Sequence, residues 1–298
     1  MRSRREVGCH DRSCPSEERP GRCHHPAEAN RHEVGETTVV LRFQGFQGAA
    51  ETERRVDDSE PAPRCALPRL AAHQGHLGDS ADTLIVTART TGGQRDKTGV
   101  GVFIVPATAA GITRKGYPTQ DGLHAADITF TGVEVGADSV IGDPKNGLPL
   151  IERVVDEARV ALCAEAVGLM DESLKTTVEY IKTRKQFGVP IGSFQALQHR
   201  AADMFVALEQ ARSMSMFATM AGEFDDTRER ATAIAAAKVQ IGKSGKFVGQ
   251  QSIQLHGGIG MTIEAKIGHY FKRLSMIEST FGDTDYHQRR VAEAGSLI

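Results

Sequence analysis

The sequence predicts an α+β protein in which a small antiparallel sheet precedes an all-α four-helix bundle. Three observations carry this. Between residues 81 and 146 short apolar runs alternate with turn residues, after Gly147 the apolar spacing lengthens from two residues to three or four, and residues 1–80 share neither pattern.

The opening segment has its own composition. Residues 1–80 contain twelve Arg and no Lys, Ile or Tyr, whereas the rest of the chain holds thirteen Arg and all eleven Lys. Four of the five Cys and six of the eleven His also fall there, among scattered Pro. This predicts a disordered segment unrelated to residues 81–298, of the kind a GC-rich coding region gives when read out of frame. Cys9, Cys14, Cys23, His24 and His25 are zinc-type ligands by chemistry. Their spacing matches no closed finger or ribbon, so no metal site is predicted.

From Asp82 the pattern changes. Leu84, Ile85 and Val86 form one run and Val100 to Val105 another, separated by Thr91, Gly92, Gly93 and Gly99 and closed by Pro106, which predicts a hairpin. Ile128, Phe130, Val133 and Val135 predict a further strand pair ahead of the Gly142-Asp143-Pro144 turn. The segment 81–146 is too short for a complete barrel.

Four helices come next. They are expected over 148–185, from Ser193 as N-cap, from Asp226 with Glu229 in a capping box through to Gln254, and over 265–281. Phe194, Leu197, Ala201, Met204, Leu208 and Ala211 recur on one face of the second, while Arg200, Asp203, Glu209 and Arg212 lie off it. Short connections favour antiparallel neighbours in a bundle that self-associates. Met and Phe on these stripes read as core.

Composition narrows the function. The 298 residues are 40% apolar with a formal net charge of −2. That is enough to fill a core, and it gives no bulk field for nucleic acid or an anionic membrane. No run approaches 18 apolar residues and the first residues lack the apolar core of a signal peptide. The default expectation is a cytoplasmic protein without membrane insertion.

Three local motifs stand out. The first is Arg184-Lys185-Gln186-Phe187-Gly188, followed by Ile191, Phe194 and Gln195. Arg184 offers a planar fork to a pyrophosphate and Gln195, in a first helical turn, can hydrogen-bond a nucleotide edge; the alternative is a solvated basic pair at a helix end. The second is Gln254-Leu255-His256-Gly257-Gly258, where paired glycines let backbone approach a ligand. It comes after a helix, so it is no Rossmann fingerprint, and His256 reads as structural. The third is Phe281-Gly282-Asp283-Thr284-Asp285-Tyr286, for which acid–base chemistry and helix capping are equal readings.

In this order the motifs resemble the acyl-CoA dehydrogenase family over roughly residues 81–298. The resemblance implies a remnant of the family's middle β-domain at 81–146, its C-terminal helical domain at 147–298, and residues 1–80 outside it. It implies FAD as cofactor, contacted across a subunit interface by Arg184, Gln186, Phe187, Gln195, Gln254, Gly257 and Gly258, with Thr284 at the flavin. The segment Asp156-Glu157-Ala158-Arg159 resembles the start of the helix lining the acyl pocket, with Arg159 against substrate. The implied reaction is α,β-dehydrogenation of an acyl-CoA thioester, with electrons passed to an electron-transfer flavoprotein.

The sequence departs from the family at the base. A glutamate in a dry pocket removes the α-proton in this chemistry, and in the Tyr-Glu-Gly-Thr signature its position falls on Gly282 here. The alternative position on the pocket helix is Ala158. Asp283 and Glu278 are the remaining local candidates. The ending, with Gly116 to Gly122, looks most like small subunits of the pimeloyl-CoA dehydrogenase kind. This implies a homo- or hetero-oligomer in which a partner supplies the base, or a non-catalytic or inactive chain. The family's amino-terminal domain has no counterpart in residues 1–80, so weak FAD binding and an exposed sheet edge at 82–90 are expected.

Overall fold

The computed structural model describes residues 78–295 except Gln94, together with three strands within 38–76. Cys9, Cys14, Cys23, His24 and His25, and the disorder expected around them, lie outside the described residues.

Three strands N-terminal to residue 81 join the sheets: β1 (Thr38–Val40), β2 (Cys65–Ala66) and β3 (Leu70–His76). The expected hairpin is present as β4 (Thr83–Arg89) and β5 (Val100–Pro106), paired antiparallel from Thr83↔Pro106 to Arg89↔Val100. In place of the exposed edge expected at β4, β1 runs parallel to it along Thr83–Ile85.

Next come β6 (Ile112–Pro118), β7 (His124–Phe130), β8 (Glu134–Val135) and β9 (Val140–Ile141). The strand pair expected from Ile128 to Val135 is corrected here. β7 lies between β3 and β6, and β8 pairs with β2. The two larger sheets, β1-β4-β5-β9 and β3-β7-β6, share one core in which Leu84, Val86, Phe103, Val105, Ile128 and Phe130 are buried. Alternate residues of β4, β5 and β7 face inward because strand side chains alternate sides.

The bundle opens with α1 (Leu148–Thr183), which carries Pro149 in its first turn, where the missing N–H costs nothing. A short hairpin, β10 (Lys185–Gln186) with β11 (Val189–Pro190), leads to α2 (Gln195–Ala221). The expected Ser193 cap is absent: Phe194 is the N-cap, and the Ser193 hydroxyl donates to the Pro190 carbonyl at 2.7 Å within a 3-10 turn. α3 (Thr227–His256) starts as expected, Asp226 Oδ1 accepting from the Glu229 N–H at 2.7 Å. α4 (Lys266–Ser279) is followed by α5 (Thr284–Ala294), a short helix beyond the four expected.

Met204, Leu208 and Ala211 of the predicted α2 stripe are fully buried against α1 and α3, with Leu197 and Ala201 half-buried. Truncating Leu208 to Ala costs about 3 kcal/mol. The opposite side of α2 is also apolar, and Phe205, Val206, Met216, Phe217 and Met220 stand exposed on it.

One guanidinium ties sheet to bundle. Arg273 on α4 donates to Asp121 Oδ2 in the β6–β7 turn at 2.7 Å and to both oxygens of Glu165 on α1 at 2.6 and 2.8 Å. No described helix is long and apolar enough to cross a membrane.

Candidate functional site

The predicted residues fall into two groups. The first gathers where α1 ends, α2 begins and α3 ends. α1 stops at Arg184, whose N–H donates to the Tyr180 carbonyl at 2.8 Å, and the chain reverses through Phe187 (φ 54°) and Gly188 (φ 81°). Two consecutive positive-φ residues make the tight hairpin turn, which thrusts the Phe187 ring out 91% exposed, edge-on to Phe194 at 6.1 Å. Tyr180 stacks on His256 at 4.3 Å, and Arg200 Nη1 donates to Gln251 Oε1 at 2.7 Å. These two contacts pin the end of α1 and the start of α2 to the end of α3.

Arg184, Gln195 and Gln254 are exposed here, and their side chains have no hydrogen-bond partner among the described residues. Gln186 is turned back, its amide donating to the Lys185 carbonyl at 2.8 Å. No side chain caps the N-terminus of α2, and the N–H groups of Gln195 and Ala196 at the positive end of its dipole have no acceptor among the described residues. A Cβ added at Gly188, Gly257 or Gly258 would meet nothing within 4 Å. A guanidinium fork, an open helix N-terminus, two free amides, an aromatic face and bare backbone are what a phosphate anion joined to an aromatic base needs.

His256 belongs to the frame of this end. It is buried, with its Nδ1 donating to the Ser252 carbonyl at 2.8 Å, and burial lowers its pKa.

The second group surrounds the α4–α5 junction. Gly242 of α3 faces Thr284 there, so this group lies roughly 22 Å along α3 from Gly257, at about 1.5 Å of rise per residue. Phe281 (φ 58°) and Gly282 (φ 107°) both hold positive φ, and for Phe281 that conformation is strained. Buried donors hold it. Arg159 Nε and Nη2 donate to the Phe281 carbonyl at 3.1 and 3.0 Å, and His287 Nε2 donates to the same oxygen at 3.2 Å. Lys238 Nζ donates to the carbonyls of Ile277, Glu278 and Gly282 at 2.6, 2.9 and 3.3 Å.

Arg159 is only 4% exposed and its remaining nitrogen bonds Asp156 at 2.8 Å, so every guanidinium nitrogen is engaged inside the protein. The candidate carboxylates are engaged too. Glu278 Oε1 accepts from the Thr284 N–H at 3.0 Å, and Asp283 Oδ1 accepts from the Tyr286 N–H at 2.7 Å as the N-cap of α5.

Sequence reading passed over Lys238 and His287. Lys238 is 1% exposed and His287 fully buried. Burial brings the Lys238 ammonium down to about 8, and burial, with Arg159 and Lys238 alongside, takes His287 down to about 3. The available signal for Lys238 was its place on the apolar stripe of α3, between Ile234 and Ile241. Cys163, buried near Lys238, has its thiol pushed up to about 11 by burial, which removes it as a nucleophile near neutral pH.

A family model described as "Acyl-CoA dehydrogenase, C-terminal domain" matches residues 145–296. Probable acyl-CoA dehydrogenase YngJ of Bacillus subtilis is 31% identical over 215 residues, 71% of this chain and 56% of that protein. Among solved structures, the Tcur3481-Tcur3483 steroid ACAD G363A variant is 30% identical with a TM-score of 0.64, over 79% of this chain and 63% of its own. The ChsE4-ChsE5 complex from Mycobacterium tuberculosis shares the fold at 24% identity and a TM-score of 0.67, over 81% and 65%. The chain spans about half the length of the curated relatives it matches.

Proposed function

The chain belongs to the acyl-CoA dehydrogenase family, and on that premise we propose that it is a base-less subunit of an oligomeric enzyme catalysing FAD-dependent α,β-dehydrogenation of an acyl-CoA thioester. Residues 147–298 serve as its C-terminal helical domain and 81–146 as part of its middle β-domain.

The residues present fit FAD at the first group. Arg184 and the open N-terminus of α2 suit a pyrophosphate, Phe187 offers a stacking face to adenine, and the Gln195 and Gln254 amides are free to bond its edge. Gly257 and Gly258 leave backbone bare for close approach. FAD held there would supply the acceptor for the hydride that leaves the substrate's β-carbon. The chain's own contribution at this end is to bind and orient.

The α-proton is a separate matter. A base must reach the α-carbon with a free carboxylate oxygen. The observation that carries the reading is at Gly282: the position offers no side chain, and an added Cβ would lie 2.5 Å from the Tyr286 ring and 2.9 Å from His287 Nε2. Glu278 Oε1 and Asp283 Oδ1 each accept a backbone N–H bond at the start of α5, which ties one oxygen of each carboxyl to a capping role. Arg159, Lys238 and His287 act on the backbone of the turn, with Arg159 a positioning residue and not a direct substrate contact.

A partner subunit then supplies the carboxylate. The apolar outer face of α2 supports association, and two solved neighbours are named as two-component proteins. Reoxidation by an electron-transfer flavoprotein completes the proposed cycle. The test is anaerobic addition of a panel of acyl-CoA thioesters to the full chain loaded with FAD. Retention of the visible flavin band is expected, and bleaching by the chain alone would overturn the reading.

A further inference from the structure

The α4–α5 junction lacks more than a carboxylate. Gly282 sits at φ 107° with the Tyr286 ring lying across the direction its side chain would take. Tyr286 is 39% exposed, edge-on to the buried His287 at 5.0 Å, with the Arg290 guanidinium over its ring at 5.8 Å. In the first turn of α5, its N–H is fixed by Asp283. Two ring contacts and a fixed backbone N–H thus position the side chain.

The electrostatics around Gly282 point the other way. Lys238 donates to the Gly282 carbonyl, and Arg159 and His287 donate to that of Phe281. Buried cations beside this turn would favour an anionic side chain. What opposes a carboxylate here is therefore steric and conformational. Glycine at 282 leaves the space open, and a ring at 286 occupies it.

We infer that Tyr286 is the closing residue of the base position: its ring fills the volume a side chain at 282 requires, so the loss of the base is enforced by two residues jointly. This deepens the proposed base-less role and rests on it for its functional meaning. Restoring a glutamate at 282 alone meets the ring; with a small residue at 286 it still meets His287 Nε2 at 2.9 Å from its Cβ.

The test is a double-mutant cycle on the full chain, read as urea unfolding midpoints and slopes. Gly282→Glu is expected to lower the folding equilibrium constant by roughly 10- to 100-fold through overpacking. Gly282→Glu with Tyr286→Ala should recover part of that loss, since the positive φ and the His287 contact remain, while Tyr286→Ala alone changes little. If Gly282→Glu does not fold, the cycle is run with Gly282→Ala, whose Cβ meets the same ring atoms. Part of its cost is positive-φ strain that Tyr286→Ala cannot relieve, so the expected coupling is partial but positive. Strict additivity in whichever cycle folds overturns the inference. Because the cycle reads stability alone, its failure is distinct from flavin bleaching, which bears on the parent reading.

Discussion

Arg159 and Phe281 lie 122 residues apart in sequence, yet two nitrogens of one guanidinium donate to one carbonyl oxygen at 3.1 and 3.0 Å. This contact joins α1 to a turn whose two central residues hold positive φ. Arg159→Ala would leave Asp156, itself 3% exposed, without its closest cation and would free a strained turn. A loss of about 3–5 kcal/mol is expected by chemical denaturation. Arg159→Lys keeps the charge but not the fork, so it should recover only part.

His287 makes the acid limb of stability. Burial, with Arg159 and Lys238 alongside, holds it down at about 3 in the folded protein, whereas an unfolded histidine titrates near 6.5. Between these values the unfolded state binds the extra proton, so this contribution is intact above about pH 6.5 and declines as pH falls toward 3. His287→Gln, which can still donate to Phe281, should flatten that slope in melts across the window. An unchanged slope would remove His287 as its source.

The sheet-to-bundle tie predicts a different signature. Burial raises Asp121, but hydrogen bonds from Thr119 and Arg273 outweigh it and hold the carboxyl below its ordinary range. Its contribution is present above the unfolded value near 4 and is lost as pH drops below it. Arg273→Ala should cost about 2 kcal/mol at neutral pH. Hydrogen exchange should rise in the turn around Asp121 while the far ends of α2 and α3 stay protected.

Arg184 tests the proposed cofactor end. Its side chain has no partner among the described residues, so Arg184→Ala should leave the melting temperature unchanged. Loss of a charge-assisted contact to a pyrophosphate weakens FAD binding by roughly 10- to 100-fold, measured by quenching of flavin fluorescence. Equal FAD affinity in the variant would move the pyrophosphate elsewhere.

How much of this was legible in the sequence depends on range. The β4–β5 hairpin and the Asp226 cap of α3 announce themselves within ten or so residues, through alternation, glycines and a capping box. β6 does not, because Arg114, Lys115 and Gly116 interrupt any apolar alternation on a strand at the sheet's edge. α5 was hidden behind Asp283 and Thr284, whose chemistry reads equally as acid–base residues or as a helix start. Arg184, Gln195, Gln254, Gly257 and Gly258, proposed above to hold the cofactor, fall in two short motifs and so stand out locally. The donors around Phe281 and Gly282 come from α1, α3 and α5, and no local pattern links Arg159, Lys238 and His287.

Proton abstraction can be read without the flavin. The full chain, incubated in D2O with an acyl-CoA thioester, is monitored by NMR for loss of the α-proton signal. A chain without its own base exchanges that proton at the buffer rate, and this is the predicted result. Exchange above that rate, reduced by Asp283→Asn or Glu278→Gln, would contradict the account and identify the base.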